Sequence, residues 1–256
     1  MNSTLNNEEE WANKTIWVTG ANQGIGAATA KKFQQLGANV IGFDLNFTGS
    51  DNNITQVVLD ISNENDVINT CKQVIEEHGT VDALINIAGI LHMGSIMELT
   101  TEQWMSSFNV NVSGAFHLMR QVIPLMKANQ GGAIISVSSN ANHMPRMSMA
   151  AYSASKSALT NLSLVAGLEL AKYGIRCNIV SPGSTQTPMQ WSLWQDKNGE
   201  EKTIEGFPEQ FKPGIPLGKL ASPEDIANTV VFLSSSQASH ITLQDIVIDG
   251  GATLGK

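Results

Sequence analysis

The run Thr15-Ile16-Trp17-Val18-Thr19-Gly20-Ala21-Asn22-Gln23-Gly24-Ile25-Gly26 decides how the rest of the chain is read. Its first half, all β-branched or aromatic, predicts a strand buried on both faces. The glycines after it predict a tight turn where backbone approaches a ligand closely. A helix is expected from about Gly24 to just before Gly37, a position suited to a left-handed stop. Strand, glycine turn and helix N-terminus in that order suit a pyrophosphate, because unpaired N–H groups and the helix dipole stabilise negative charge. Gly20, Asn22, Gln23, Gly24, Ile25 and Gly26 therefore form the expected phosphate cradle.

Outward from this run, β-rich apolar segments alternate with amphipathic ones. Further strands are expected near residues 39–43, 55–59, 83–87, 133–138, 175–180 and 246–248, and helices over about 64–77, 102–127, 152–172 and 223–234. Such alternation predicts an α/β fold: a single doubly wound Rossmann-type domain over residues 13–256, its parallel seven-stranded sheet covered by helices on both faces. Residues 1–12 are expected to be a flexible N-terminal tail; the first ten are rich in Asn and Glu and resemble neither a secretory signal nor an anchor. The stretch 184–216 breaks the alternation, with Pro188, Pro208, Pro213 and Pro216 among Trp191, Trp194, Phe207 and Phe211. Its aromatic content and its place after a strand end suggest a substrate lid; a fixed helical pair packed on the body is the alternative.

Asp44 closes the second expected strand, roughly 20 residues beyond the glycine turn, where a carboxylate can accept both adenosine ribose hydroxyls. It would repel a 2′-phosphate, and neither Gln23 nor Leu45 offers a cation for one, so NAD is the expected cofactor. A formal net charge of −8 disfavours a nucleic-acid partner, which needs a basic surface. No apolar run reaches the ~18 residues of a membrane span. Cys71 and Cys177 stand alone at no metal-ligand or redox spacing, so packing roles, no metal and a cytoplasmic setting are expected.

Taken with motifs further along the chain, the spacing Gly-x-x-x-Gly-x-Gly resembles the short-chain dehydrogenase/reductase family, and the resemblance covers nearly the whole chain. It implies that Asp60 and Ile61 flank the adenine, and that Asn86-Ile87-Ala88-Gly89 runs beside the cofactor, with Ile87 departing from the commonest residue there. It implies also that Pro182, Gly183, Thr185 and Thr187 lie along the nicotinamide, Thr187 holding its carboxamide.

The segment Tyr152-Ser153-Ala154-Ser155-Lys156 reads as helical, which puts Tyr152 and Lys156 one turn apart on one face. A phenol with a reference pKa of about 10 needs a neighbouring positive charge to act as a base at neutral pH. The resemblance supplies the partners: Ser139, thirteen positions before the tyrosine, as the hydroxyl that orients the substrate oxygen, and Asn111 as the holder of a water linked to the lysine. Asn109 competes for the latter role, and Ser138 reads as the structural member of the serine pair.

Five further strings resemble one branch of the family: Gly89 to Gly94, His143 to Arg146, Pro182 to Thr185, Gly206-Phe207 with Glu209 to Lys212, and Ser239 to Asp245. That branch implies a small-molecule substrate, a cyclohexadiene diol carboxylate oxidised to a catechol in siderophore biosynthesis, and a homotetramer. Arg146 is then the candidate carboxylate ligand, with His92 and His143 as weaker alternatives and a solvated loop or subunit contact as its other reading; Met189, Trp191 and Trp194 are candidate walls of the ring pocket, with packing as the alternative. An oxoacyl-carrier-protein reductase or secondary-alcohol dehydrogenase of the same family, and an inactive NAD-binding subunit, are the competing readings.

Overall fold

Strand β1 (Thr15–Thr19) is buried at every position, as a strand must be when both faces of its sheet are covered. In the computed structural model, which describes residues 10–49 and 53–255, it stands inside a parallel sheet. The order is β3 (Thr55–Val58), β2 (Asn39–Asp44), β1, β4 (Ala83–Asn86), β5 (Gly132–Val137), β6 (Ile175–Pro182), β9 (Asp245–Ile248). A separate antiparallel hairpin joins β7 (Gly206–Phe207) to β8 (Lys212–Pro213). The direction of winding reverses between β1 and β4, which opens a crevice beyond the carboxyl ends of the strands.

Alternation along β1 sends Trp17 to one face and Ile16 and Val18 to the other. Trp17 stacks at a tilt on Phe43, 5.0 Å between centroids. Their cluster is closed by α2 (Glu64–His78), α4 (Ala115–Ala128) and α5 (Ala150–Leu170) through Val67, Leu118, Val122 and Leu170. The opposite cluster is closed by α1 (Gly24–Gln35) and α8 (Pro223–Ser234) through Phe33, Ile226 and Val230. Helix α1 ends as expected, with Gly37 at φ +90° just past it.

Three expectations need correction. The flexible tail does not extend to residue 12: Trp11 is buried, edge-on to Phe33 at 4.9 Å, because its indole completes the α1 face of the core. Residues 1–9 lie outside the described residues. The helix expected over 102–127 is broken into α3 (Thr101–Phe108), a π-helical turn at Asn109–Gly114, and α4. Asn111 turns inward there to bond the backbone of Ile90, and a Cβ on Gly114 would stand 2.5 Å from Ile61 Cδ1, so the turn is held by its neighbours rather than by propensity. Finally, residues 184–216, expected only as a break in the alternation, contain short elements of their own. They fold into α6 (Pro188–Trp191), α7 (Gly199–Glu205) and the β7–β8 hairpin, packed on a small cluster of Ile215, Leu220 and Ala252 joined by Trp194 and Ile204.

Between this segment and the strand ends lies a cavity of about 710 Å³. Its size is that of a ligand site.

Candidate active site

The glycine turn is tight for a definite reason. A Cβ on Gly26 would fall 1.9 Å from the Gly20 carbonyl oxygen, and one on Gly20 would touch Ala88 Cα at 3.0 Å. Gly20 and Gly24 also have φ of +69° and +55°, conformations that glycine adopts without penalty. Gln23 caps α1 without a side-chain hydrogen bond, and no acid occupies the first turn, which leaves the helix N-terminus open to an anion. Gly20, Gln23, Gly24, Ile25 and Gly26 all line the cavity.

At the adjacent strand end, Asp44 accepts the N–H groups of Asn22 (2.9 Å) and Leu45 (2.8 Å), which fixes the carboxylate at the cavity wall with Leu45 beside it. Asn22 itself is not on the wall. Its side chain accepts from Thr48 N–H at 3.0 Å and donates to Asn46, so it braces the loop that carries Asp44. Asp60 and Ile61 reach the cavity; the Asp60 carboxylate accepts the Ser62 N–H and hydroxyl at 2.9 and 2.7 Å. Thr19, not anticipated from sequence, accepts the N–H groups of Ile87 (2.9 Å) and Ala88 (3.0 Å). It thereby ties β1 to the segment after β4 and holds Ala88 and Gly89 at the wall with their backbone path intact. Asn86 lies behind that wall, buried, with its amide atoms unpartnered.

At the other end of the crevice, Ser139 and Tyr152 are brought together. The 3-10 turn after β5 carries Ser139, whose hydroxyl accepts the Ala141 N–H at 3.1 Å, and α5 presents Tyr152 and Lys156. Burial pushes the Tyr152 phenol up from its ordinary value, and its hydrogen bond with Ser139 acts in the opposite direction. Burial also pulls the Lys156 ammonium down to about 8. Lys156 Nζ donates to the Val137 carbonyl at 2.8 Å and lies 5.8 Å from the centre of the Tyr152 ring. A positive charge is thus held close to the phenol without neutralising it directly. Ser138 also lines the cavity, but its hydroxyl is engaged with the fold: it donates to the Lys156 carbonyl at 3.1 Å and accepts from Thr160 at 2.8 Å.

Asn111 is 1% exposed, whereas Asn109 is exposed, and that settles which of the two faces inward. It does not reach the cavity wall. Its amide nitrogen donates to the Ile90 carbonyl (3.0 Å) and Ser155 hydroxyl (2.9 Å), and its oxygen accepts the Ile90 N–H (2.8 Å). A Cβ on Gly89 would sit 3.2 Å from Asn111 Oδ1 and 3.3 Å from Lys156 Nζ, so the absence of that atom is what lets the three groups approach.

Pro182, Gly183, Thr185 and Thr187 line the cavity, and Thr187 caps α6 while its methyl would meet a Cβ on Gly24 at 3.2 Å. Of the four residues expected at a substrate, Arg146 and Met189 line the cavity and the two histidines do not. His92 is paired with the Ser106 hydroxyl at 3.1 Å, and His143 with Asp245 at 2.9 Å, each engaged by a neighbouring loop or helix. Both thiols are buried and pushed up to about 12, the condition of packing cysteines. Among the described residues no group of His, Cys, Asp and Glu has the arrangement of a metal site, and no helix is long and apolar enough to cross a membrane.

The wall therefore combines an anion-ready helix end beside a fixed carboxylate with a buried serine, phenol and ammonium, an arrangement able to hold a dinucleotide and to present a proton acceptor in the same cavity. Comparisons agree with this geometry. Residues 20–253 match a family model described as enoyl-(acyl carrier protein) reductase, of the short-chain alcohol dehydrogenase type. The chain is 52% identical over 246 residues to a 2,3-dihydro-2,3-dihydroxybenzoate dehydrogenase of Escherichia coli, covering 96% of this chain and 99% of that one. It is 44% identical over 252 residues to the Bacillus subtilis protein of the same name, covering 94% and 97%. Its fold matches the ligand-free aldohexose dehydrogenase of Thermoplasma acidophilum with a TM-score of 0.86 and 27% identity, over 95% of each chain. Motif, fold and full-length similarity lead to one conclusion: the chain is an oxidoreductase belonging to the short-chain dehydrogenase/reductase family, whose dehydrogenases use a nicotinamide cofactor.

Proposed function

We propose that this enzyme oxidises 2,3-dihydro-2,3-dihydroxybenzoate to 2,3-dihydroxybenzoate with NAD⁺, as a step of siderophore biosynthesis. The observation that carries the proposal is the buried Tyr152 phenol, one helical turn from the buried Lys156, lining with Ser139 the same cavity as Asp44 and the glycine turn. Full-length relatives bearing that name support the choice of substrate.

The residues fit the cofactor. Gly20, Gly24 and Gly26 leave room where any Cβ would collide, the N-terminus of α1 is free of acids, and Asp44 favours ribose hydroxyls over a 2′-phosphate. Asp44 and Ser139 lie at the ends of strands three neighbours apart, about 14 Å, so one extended ligand can touch both. When bound, the nicotinamide dinucleotide supplies the hydride acceptor. Tyr152, as the phenolate, takes the proton of the ring hydroxyl. Ser139 donates to the same oxygen and holds it as a carbonyl develops. Lys156 stabilises the phenolate, while Asn111 fixes Ile90 and, through Gly89, the space around the ammonium. The diol thus loses one proton and one hydride from a single C–OH unit, and the resulting cyclohexadienone enolises to the catechol, which makes the reaction effectively one-way. Residues 184–216 serve as the substrate lid, with Met189 and Thr187 at its start.

A cytoplasmic homotetramer belongs to the same reading. Trp104, Met105, Phe116, Val165 and Leu168 are exposed on α3, α4 and α5, apolar surface of the kind that subunit contacts cover.

The deciding experiment mixes the purified chain with the diol and NAD⁺ or NADP⁺, following NADH absorbance and catechol fluorescence. Both signals should rise together with NAD⁺ and at least tenfold more slowly with NADP⁺. Oxidation of simple secondary alcohols without oxidation of the diol would sink the substrate assignment.

A further inference from the structure

Among the described residues, four cations line the cavity: Arg146, Lys156, Lys202 and Lys212. Two of them are accounted for. Lys156 donates to Val137, and Lys202 is paired with Asp196 at 2.7 Å. Arg146 and Lys212 make no ion pair among the described residues, although both are partly withdrawn from solvent. Arg146 Nη1 is fully buried without a hydrogen-bond partner, and a guanidinium donor left in that state costs free energy until an acceptor arrives.

From the geometry we infer that Arg146 and Lys212 together form the carboxylate-binding site of the substrate, with Lys212 delivered by the β7–β8 hairpin as a second, specificity-determining cation. The inference deepens the proposed function and rests on it for the identity of the anion.

Lys212 is held where it is by local structure. It pairs with Phe207 across the hairpin, and its ammonium lies 5.3 Å from the centre of the Phe207 ring. A Cβ on Gly206 would come within 2.5 Å of Gly214 N, so the hairpin closes tightly only with glycine there. Arg146 belongs to the loop between Ser139 and Tyr152 and lines the same cavity as both. The two charges feel each other: burial lowers the affinity of Lys212 for its proton, and the positive charge of Arg146 lowers it further.

Among the described residues the acids nearby form no ion pair with either cation. Asp249 acts on Arg146 through its charge, but its carboxylate is already occupied by Asn140 (3.2 Å), Thr253 (2.7 Å) and the Gly251 N–H (2.9 Å). Asp196 is tied to Lys202, and Glu209 lines the cavity while remaining exposed. Two mutually repelling cations with an open donor between catalytic loop and lid call for a single compact anion. A carboxylate is the match, since a guanidinium presents a planar fork and an ammonium adds a point charge. Because one cation comes from each side, the anion would also join the lid to the catalytic loop.

The test compares Arg146→Met, Arg146→Lys, Lys212→Met and Lys212→Gln with the parent enzyme, using the diol carboxylate and the same diol without its carboxyl group. Binding of 2,3-dihydroxybenzoate is measured in parallel by calorimetry. The ratio of kcat/KM between the two diols should fall about 10- to 100-fold in each neutral variant, mainly through KM, with Arg146→Lys intermediate. Binding of 2,3-dihydroxybenzoate should weaken by a similar factor. Parent enzyme that oxidises the diol carboxylate, with variants of unchanged ratio and unchanged binding, overturns the inference and leaves the proposed function standing. Parent enzyme that binds 2,3-dihydroxybenzoate through both cations but fails to oxidise the diol does the reverse. A variant that fails to fold is replaced by the conservative one at the same position.

Discussion

Two glycines, Gly26 in the phosphate turn and Gly199 in the segment over the cavity, are equally crowded and differ in what crowds them. A Cβ on Gly26 would strike the Gly20 carbonyl at 1.9 Å; one on Gly199 would strike the Trp194 ring at 2.2 Å. The first collision is backbone against backbone and is imposed by the turn itself. The second is backbone against a side chain and exists only because Trp194 folds inward toward Ile204 and Ile215. One region is thus built from main-chain geometry and the other from side-chain packing; under the proposed function the first serves the dinucleotide and the second the substrate.

Tyr152 and Lys156 stand where the two regions meet, and the sharpest test of the division lies there. Tyr152→Phe should reduce kcat by 10²- to 10⁴-fold, the range of general-base contributions, while NADH affinity measured by fluorescence titration stays within about threefold. Turnover that survives the substitution would remove Tyr152 from the role of base.

Lys156→Met should change the pH dependence of stability. The folded chain binds the Lys156 proton less tightly than the unfolded one, with a value of about 8 against an ordinary 10.5. Below pH 8 the ammonium is charged in both states and its burial penalty is fully present; above about pH 10.5 it is neutral in both and the penalty is gone. Parent stability should therefore rise relative to Lys156→Met between those limits, by ~3 kcal/mol in total, measured by urea unfolding. A flat difference across that window would mean that the lysine is not buried as described.

The smallest effects compare the two glycines. Gly26→Ala should weaken NADH binding by roughly 10- to 100-fold, as 1–3 kcal/mol of overpacking predicts. Gly199→Ala should raise KM for the diol several-fold, with NADH affinity within about twofold. Equal loss of NADH affinity in both variants would show that the two regions act as one unit.

The cofactor half was legible in the sequence to a degree that the substrate half was not. Thr15 to Gly26, the helix stop at Gly37 and Asp44 at the end of β2 were each readable because short-range backbone rules govern them. Asn22 was read as a ligand residue, although its side chain braces residues 46–48, because sequence spacing does not show where a side chain points. His92 and His143 fell to the same limit, since their partners Ser106 and Asp245 lie 14 and 102 residues away. Lys212 stood in a string that resembles one branch of the family, but nothing local marks it as lining the same cavity as Arg146.

By itself the sequence determined the seven strands of the main sheet, most of the helices between them, the glycine turn after β1 and the place of Asp44 at the end of β2. The tertiary structure alone decided that a π-helical turn carries Asn111 inward, that Trp11 belongs to the core, and that a hairpin brings Lys212 to the cavity wall. The reason is physical: backbone preferences act over a few residues, whereas burial and charge pairing are settled between segments far apart in sequence, once the sheet has placed them side by side.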